Sequence, residues 1–539
     1  MMKTIGIVQT AYGQVSGLEL TGAYEGITQF RGIPFAGPPV GELRWRAPQS
    51  PASWQGVREC LSYGPVCIQP TNGDLDAEPW ATDFYYMGAM PQSEDCLYLN
   101  VTTGAADQDE KRPVYVWFHG GGSDHGYSYE VEFDNRELAK KGIVVVTVAQ
   151  RLHALGYLAL PQLSAEQGGK SGNYILMDDV KALEWVVENI AAFGGDPDNI
   201  TVGGQSAGTG KAVSLAFTPY GRKHIKRIIN QSGLSWMRSN KTLPEYEKTC
   251  ADFLTKLGID PTLPMEELRK INANEFIPKF NAGRLPYGLV YDGDLVPDVS
   301  LVDSTAKYGI QFDYLAGSNL GEHMLKPGAK RGDKGFTSAE EFYAFARDDL
   351  GDLYDQFDFK NLFRVADETV DRETRRLASY GMAIGEKAPG GLMMNRYFGA
   401  WRTRTAPDKK TFNYLFCRIA PTRLEDRGTA RDPDVLMSWH SNELWYTFAS
   451  LKQGTPPARP WEEADLKLAD LMSSYWANFI KTGDPNGASL PAWPASDAEH
   501  WGFMEFDHEL CAHEGKDKLD DLIFAYLDQH KAWPEQTLI

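Results

Sequence analysis

Short runs of β-branched and aromatic residues alternate with longer amphipathic runs along most of this 539-residue chain. Val114–Phe118 and Ile143–Val148 have the length and composition of buried parallel strands. Met177–Phe193 has apolar residues at mostly three- and four-residue intervals, which is typical of a helix. Because strands that alternate with helices form parallel sheets, the sequence predicts an α/β fold with a large, mostly parallel central sheet and helices on both faces.

The remaining predicted elements continue this alternation. Strands are predicted at Ile200–Val202, Ile228–Gln231, Tyr314–Ala316 and Phe412–Phe416. Helices are predicted at Asn135–Lys141, Ala207–Phe217, Glu245–Leu257, Glu340–Leu350 and Ala464–Thr482. The first hundred residues are predicted as extended segments broken by turns, because Pro-Pro and Gly-Pro pairs in Pro34–Pro48 preclude regular helix.

The charge and cysteine content exclude several classes of partner and cofactor. The net charge is −19, from 73 acidic and 54 basic residues, which argues against nucleic acid as a partner. No window approaches the roughly 20 apolar residues of a membrane span, and Met1–Val8 lacks the apolar stretch of a secretory signal. The six cysteines form no C-x-x-C pair, so zinc chemistry is not expected. We expect a soluble, cytoplasmic protein, or a secreted one if a signal has been removed.

The segment after the strand Ile200–Val202 carries the strongest sequence motif. Gly204-Gln205-Ser206-Ala207-Gly208 is a G-x-S-x-G sequence between a predicted strand and a predicted helix. A nucleophile elbow has this context, with its serine at the apex of a turn too sharp for side chains at the two glycines. The motif alone also occurs by chance, but the strand–turn–helix setting favours Ser206 as a catalytic nucleophile.

A second glycine motif lies upstream. His119-Gly120-Gly121-Gly122 follows the strand Val114–Phe118 directly, so backbone N–H groups are exposed without side chains in the way. This arrangement suits an oxyanion hole, which must approach a developing alkoxide closely. A flexible turn is the alternative; a phosphate-binding loop is excluded because no Lys-Ser/Thr pair follows the glycines.

With these two motifs on one chain, the sequence resembles the type-B carboxylesterase family, which includes cholinesterases and neuroligin-like adhesion proteins. The resemblance extends from about residue 10 to about residue 510. It is carried by further segments similar to family blocks: Phe30–Ala36, the segment ending at Leu43-Arg44, Ser93–Val101, Phe193–Pro197 and Gln231–Gly233. It implies the α/β-hydrolase fold. We expect residues 1–539 to form one such domain, with about 245–400 as a helical insertion over the sheet edge and active site.

The resemblance also implies the other members of a catalytic triad. Glu322, five residues after Gly317, matches the family's acid, and His440, three residues before Glu443, matches its histidine. Ser206, Glu322 and His440 then follow the chain order of α/β-hydrolases. His440 would take the Ser206 proton, Glu322 would orient the imidazole, and water would release the acyl group.

The remaining parts of this hypothesis concern the oxyanion hole and cofactors. Backbone N–H groups of Gly121, Gly122 and Ala207 would bind the oxyanion. The mechanism needs no metal and no organic cofactor; its partners are a small-molecule ester and water, and the sequence does not indicate the oligomeric state.

Other positions matched by the resemblance are expected to be structural. Arg44 with Glu94, and Arg151 with Asp178, match pairs that are ionic in the family, and we interpret them as buried scaffold pairs. Cys67 and Cys96 match the family's first disulfide, although a reducing cytosol would keep them unpaired. They bracket a loop predicted to cover the active-site entrance, which holds Trp80, Tyr85 and Tyr86.

Three departures from the family pattern limit what can be inferred about substrate. Ser123 stands where an aromatic residue is common, which leaves the acyl-side preference open. Gln205 stands where cholinesterases carry glutamate, so choline-ester specificity is not expected even if Trp80 offers a cation–π face. Asp179 replaces a common glutamine without an evident function.

Two function classes therefore remain open. One is an active carboxylesterase for small or aromatic esters, with a feruloyl-type esterase or a long-chain lipase as narrower alternatives. The other is a catalytically inactive adhesion or scaffold protein on the same fold. Because inactive relatives usually lose the nucleophile or the histidine, the presence of all three triad residues favours the enzyme.

Overall fold

The protein is described here by a computed structural model. It describes residues 4–69, 90–233, 240–283, 285, 288–298, 301–322, 335–382, 391–429, 432–451 and 459–529. The chain divides into two compact units, one of Met1–Ile229 with Arg238–Gly309 and the other of Asn230–Met237 with Ile310–Ile539. No helix in the described residues is both long and apolar enough to cross a bilayer.

The first unit contains most of the strands. They are β1 (Val8–Gln9), β2 (Gln14–Glu19), β3 (Thr28–Pro34), β4 (Val57–Cys60), β5 (Val66–Cys67), β6 (Gln92–Ser93), β7 (Tyr98–Thr103), β8 (Arg112–Phe118), β9 (Val144–Val148), β10 (Gly195–Gln205), β11 (Ile225–Gln231), β12 (Lys241–Thr242) and β13 (Val290–Tyr291). The last two residues of β11 belong to the second unit. The order β1-β2-β3-β7-β9-β8-β10-β11 forms a sheet, with β4 beside β2.

The middle of this sheet is parallel and completely buried. Val116 of β8 pairs with Val146 of β9 and with Val202 of β10, in parallel register on both sides. All three valines are inaccessible to solvent. A strand covered on both faces needs apolar residues at every position, and this explains the unbroken apolar runs in the sequence.

Helices connect these strands. In the first unit they are α1 (Arg136–Lys140), α2 (His153–Tyr157), α3 (Pro161–Glu166), α4 (Tyr174–Asn189), α5 (Ala207–Phe217), α6 (Pro219–His224), α7 (Leu243–Lys256), α8 (Met265–Lys270), α9 (Ala273–Gly283) and α10 (Leu301–Tyr308). Helix α5 packs on β10 and β8 and contacts α4. Helix α5 therefore lies directly against the strand that leads to Ser206.

The second unit combines four strands with a helical layer. Its strands β14 (Asp313–Asn319), β15 (Thr411–Phe416), β16 (Phe503–Phe506) and β17 (Leu510–His513) are neighbours in that order, parallel except for the last pair. Its helices are α11 (Ala339–Leu350), α12 (Asp352–Gln356), α13 (Phe359–Leu362), α14 (Val370–Tyr380), α15 (Gly391–Thr405), α16 (Pro433–Leu436), α17 (Leu444–Thr447), α18 (Glu463–Thr482) and α19 (Lys518–Gln529). Phe342, Leu377 and Leu522 belong to one apolar cluster of this layer.

The α/β class predicted from the sequence, with a mostly parallel sheet, is confirmed. All six predicted strands are present, although β10 is several residues longer than Ile200–Val202. The helix predicted over Met177–Phe193 begins at Tyr174, ends at Asn189 and continues as a tight 3-10 turn. That turn ends at Gly194, whose φ of 77° redirects the chain into β10. Residues 245–400 are mostly helical where they are described, and the single-domain organisation stays a prediction.

Candidate active site

Ser206 lies at the junction between strand β10 and helix α5. Its backbone has φ 55° and ψ −125°, a conformation that non-glycine residues rarely adopt and that costs roughly 1–3 kcal/mol. Its carbonyl oxygen accepts hydrogen bonds from Thr209, at 3.0 Å from the amide and 2.6 Å from Oγ1. The strained turn thus presents Ser206 at the N-terminal end of α5, where free amides and the helix dipole favour negative charge.

The two glycines of the motif are required by backbone contacts. A Cβ on Gly204 would lie 2.3 Å from the carbonyl oxygen of Gly208, and one on Gly208 would lie 2.1 Å from that of Phe118. Both distances are far below any real carbon–oxygen contact. The interpretation of Gly204 and Gly208 as steric requirements of the turn is therefore confirmed.

The glycine segment after β8 lies beside Ser206 within the first unit. A Cβ on Gly120 would lie 3.3 Å from the Cβ of Ser206 and 2.9 Å from the carbonyl oxygen of Gln205. Gly121 and Gly122 follow with φ of 78° and 61°, and amides further along the chain bond to Gly121 O. The Gln205 side chain also reaches Gly120, with its Oε1 2.9 Å from the same added carbon. The segment can therefore offer backbone N–H groups close to Ser206.

Glu322 and His440 are brought together within the second unit. Glu322 follows the end of β14, and its Oε2 lies 3.5 Å from Nδ1 of His440. The Asn319 amide donates to Glu322 Oε1 at 2.5 Å. The Gly321 amide donates to Ser438 O at 2.8 Å, which ties the end of β14 to the loop that carries His440.

This loop approaches β14 so closely that a side chain would not fit between them. A Cβ on Gly321 would lie 2.4 Å from the carbonyl oxygen of Leu436 and 2.9 Å from that of Ser438. Gly321 therefore controls the spacing between the carboxylate and the imidazole. Ser206 belongs to the other unit, and its meeting with the Glu322–His440 pair stays a prediction.

A second carboxyl group lies next to this pair. Glu443 is completely buried; its Oε2 accepts a 2.5 Å bond from Asn319 Nδ2 and its Oε1 a 3.3 Å bond from Gln231 Nε2. Burial, with a smaller contribution from the Glu322 charge, raises the pKa of Glu443 to about 7. In the sequence Glu443 serves only to locate His440, and the three-residue spacing between them is the one signal that points to Glu443 itself.

Buried ion pairs support the first unit as the sequence predicts. Arg44 Nη2 lies 2.6 Å from Glu94 Oε1, and Arg151 Nη2 lies 2.6 Å from Asp178 Oδ1. The Arg151–Asp178 pair is almost inaccessible to solvent. The two ion pairs are therefore present and buried as predicted, and their role as scaffold pairs stays an interpretation.

The structure describes the two matched cysteines and two of the substrate-side positions, but not the predicted entrance residues. Cys67 and Cys96 are buried free thiols joined by a hydrogen bond. Ser123 is buried, with φ 65°, directly after the glycines. Gln205 is buried at the end of β10. The predicted entrance residues Trp80, Tyr85 and Tyr86 lie outside the described residues.

Known proteins resemble this chain in sequence and in fold. The sequence profile of the Carboxylesterase family matches residues 5–524. Neuroligin-2 of Mus musculus is 31% identical over 529 residues, which cover 89% of this chain and 60% of that protein. Fumonisin B1 esterase of Sphingopyxis macrogoltabida is 31% identical over 516 residues, which cover 92% and 87%. The chain thus spans about 60% of the length of the neuroligin-2 sequence.

Among solved structures, a carboxylesterase of Geobacillus stearothermophilus matches with a TM-score of 0.74 and 28% identity, over 98% of this chain and 99% of that one. This likeness establishes the α/β-hydrolase fold.

Proposed function

Because the chain belongs to the carboxylesterase family, we propose that it hydrolyses carboxylic esters through an acyl-enzyme formed on Ser206. The observation that carries this proposal is the strained turn of Ser206 beside a glycine segment free of side chains. Such a turn is costly, and strained residues of this kind cluster at functional sites. An adhesion surface has no need of a hydroxyl held in this way.

The proposed reaction has two steps. In the first, His440 removes the Ser206 proton while Oγ attacks the ester carbonyl, and the alcohol leaves with that proton. In the second, His440 activates water, which attacks the acyl carbonyl and releases the acid. Glu322, 3.5 Å from Nδ1 of His440, would hold the imidazole in its productive tautomer and stabilise the imidazolium.

The oxyanion would be bound by the amides of Gly121, Gly122 and Ala207. Positive φ values at the two glycines and the helix N-terminus at Ala207 support this assignment. Each such donor typically contributes on the order of 10²-fold or more to the rate. The chemistry uses only side chains and backbone of this chain, with an ester and water as reactants.

The proposed substrates are small or aromatic carboxylic esters. Ser123 is buried directly after the glycines, and its small side chain would leave room for an aromatic acyl group that an aromatic residue at this position would occupy. A panel of acyl chain lengths and aromatic acyl groups tests this: a maximum at short or aromatic acyl groups supports it. A maximum at long chains would favour a lipase instead, and a strong preference for hydroxycinnamoyl esters a feruloyl-type esterase.

The similarity to neuroligin-2 keeps an inactive adhesion or scaffold protein as the second candidate. The test is hydrolysis of p-nitrophenyl acetate by the purified chain and by Ser206→Ala. We expect Ser206→Ala to lose hydrolysis while keeping its circular dichroism spectrum. Ser474→Ala is the matched control, because that hydroxyl bonds to Asp470 O within helix α18. Full activity in Ser206→Ala would exclude Ser206 as the nucleophile, and an inactive wild-type protein would favour the second candidate.

A further inference from the structure

A buried lysine lies one and a half turns beyond Ser206 on helix α5. Lys211 is only 4% exposed. Its Nζ donates a 3.0 Å hydrogen bond to the carbonyl oxygen of His119. With the Gln150 amide oriented to satisfy both of its neighbours, its nitrogen donates to Val148 O at 3.1 Å and its oxygen accepts from Lys211 Nζ. The ammonium group is therefore directed at the backbone just before the glycine segment.

The same carbonyl group also packs against the start of α5. A Cβ on Gly208 would lie 2.8 Å from His119 O, so this oxygen rests directly on the first turn of the helix. Helix α5 thus holds His119 in two ways, by close packing at Gly208 and by a hydrogen bond from Lys211. Because Ser206 is the N-cap of that helix, both contacts control the distance between Ser206 and the glycine segment.

Charged groups from several elements face this ammonium. Burial lowers the pKa of Lys211 to about 8, and Asp179 on α4 is the strongest of the carboxylates that oppose this shift. Glu130, Asp124 and Cys67 act in the same direction more weakly. The ammonium form therefore prevails at neutral pH, where a hydrogen bond from a charged donor is stronger than one from a neutral donor.

Asp179 interacts with Lys211 through space. Neither of its carboxylate oxygens has a hydrogen-bond partner in the described residues, and burial, opposed by the Lys211 charge, raises its pKa. Asp179, which stands where the family commonly has glutamine, thus interacts with the buried charge of Lys211 on the next helix. This attraction is a physical reason for a carboxylate at position 179.

We propose that Lys211 is a positioning residue for the oxyanion hole. It holds the glycine segment, His119–Gly122, against the first turn of helix α5. The inference rests on the proposed ester hydrolysis. Without the ammonium, His119 O loses its donor and the loop amides relax away from the position of the developing oxyanion. A displacement of about 1 Å at such a site costs on the order of 10²-fold in rate.

The test compares three variants of the full chain: Lys211→Met, Asp179→Asn, and the two combined. Lys211→Met is expected to lower kcat for p-nitrophenyl acetate by about 10- to 100-fold, with KM changed less than about threefold, because ground-state binding does not use the oxyanion donors. The melting temperature of this variant should fall, because the buried Asp179 loses the positive charge that opposes the cost of its burial.

The double variant separates positioning from charge balance. If Lys211 serves only to balance Asp179, the neutral double variant should recover both melting temperature and kcat. The positioning role predicts that melting temperature recovers while kcat stays low. A double variant with wild-type kcat would overturn the proposal.

A measurement independent of hydrolysis distinguishes failure of this inference from failure of the proposed function. Hydrogen exchange of a peptide covering residues 119–125 should be faster in both Lys211→Met proteins than in wild type and in Asp179→Asn. If the wild-type protein hydrolyses no ester but the exchange difference is present, the proposed function fails and the positioning contact stands. Unchanged exchange in the variants would contradict the contact itself.

Discussion

The two halves of the candidate site are held by different physical means. In the first unit, Ser206 and the glycine segment are fixed by steric contact, since a single added carbon at Gly204 or Gly208 would overlap the backbone. In the second unit the backbone at Gly321 is equally crowded, but the Glu322 side chain is held by a hydrogen bond from the Asn319 amide. Its 3.5 Å separation from His440 leaves room for small movements of the two side chains. The backbone is therefore intolerant of added volume on both sides, whereas the carboxylate and the imidazole can still adjust their separation.

This difference fits the roles that we propose for the two halves. An oxyanion hole stabilises charge only if its donors are already in place, so rigidity is an advantage there. A general base must accept a proton and then return it, and catalytic hydrogen bonds of this kind are often long before substrate binds. Substitutions of the catalytic side chains should consequently lower the reaction rate, and volume added at the close-packed glycines should lower the stability of the fold.

The largest expected effect is that of removing the imidazole. His440→Ala should lower kcat for p-nitrophenyl acetate by about 10⁴-fold or more, because Ser206 then has no base. His500→Ala is the control, since that histidine is exposed and pairs with Asp497. The kcat values of both variants for p-nitrophenyl acetate measure the difference. A His440→Ala protein within tenfold of wild type would remove His440 from the mechanism.

Removal of the negative charge beside the imidazole should have the next largest effect. Glu322→Gln keeps the shape of the side chain but cannot stabilise the imidazolium, and a loss of about 10³- to 10⁴-fold in kcat is expected. Thermal unfolding should change little, because the change is polar and isosteric. Equal losses in Glu322→Gln and in the exposed Glu425→Gln would show that the carboxylate has no special role.

On the first unit, added volume should affect folding before chemistry. Gly208→Ala places a carbon 2.1 Å from Phe118 O, and we expect the free energy of unfolding to fall by about 3 kcal/mol. Gly210→Ala is the matched control on the same helix, because no atom beyond the adjacent residues and the helix's own backbone lies within 4 Å of its added carbon. That control should gain about 0.5–1 kcal/mol from helix propensity. Urea unfolding of both variants measures the contrast, and similar stabilities would contradict the steric argument.

The smallest effect concerns the pH dependence of stability at Glu443. Its pKa is raised to about 7 in the folded protein from 4.5, so between these pH values the folded state binds more protons than the unfolded state. Stability contributed by this group is therefore present at low pH and lost as pH rises toward 7. Glu443→Gln, which cannot ionise, should gain stability relative to wild type between pH 5 and pH 8. Urea unfolding of both proteins at the two pH values measures this gain. An equal difference in unfolding free energy between variant and wild type at both pH values would contradict the prediction.

The sequence predicts those parts of the fold whose cause lies in neighbouring residues. The strands β8 and β9 are visible as apolar runs because burial on both faces requires such residues at every position. The true length of β10 was not visible, since Gly195–Asn199 contains glycine, proline and aspartate, and β10 pairs with β8 at Gly195. Strand ends depend on partners distant in sequence, so they escape a local analysis.

The same distinction applies within the site. Gly204, Ser206 and Gly208 are predictable because a sharp turn has a local sequence requirement. Lys211 and Glu443 were not identified because their roles depend on distant partners, His119 O for one and Asn319 for the other. The sequence shows Asp179 as a departure from the family, but its interaction with Lys211 becomes apparent only from the packing of helix α4 on helix α5.

The meeting of Ser206 with the Glu322–His440 pair is tested most directly by a crystal structure of the protein after reaction with diisopropyl fluorophosphate. In that reaction Ser206 Oγ bonds to phosphorus and fluoride leaves. We predict a phosphoryl oxygen about 3 Å from the amides of Gly121, Gly122 and Ala207, and His440 Nε2 within about 3.5 Å of Oγ. An adduct on another side chain, or an imidazole of His440 too far from Ser206 to exchange a proton with it, would contradict the mechanism.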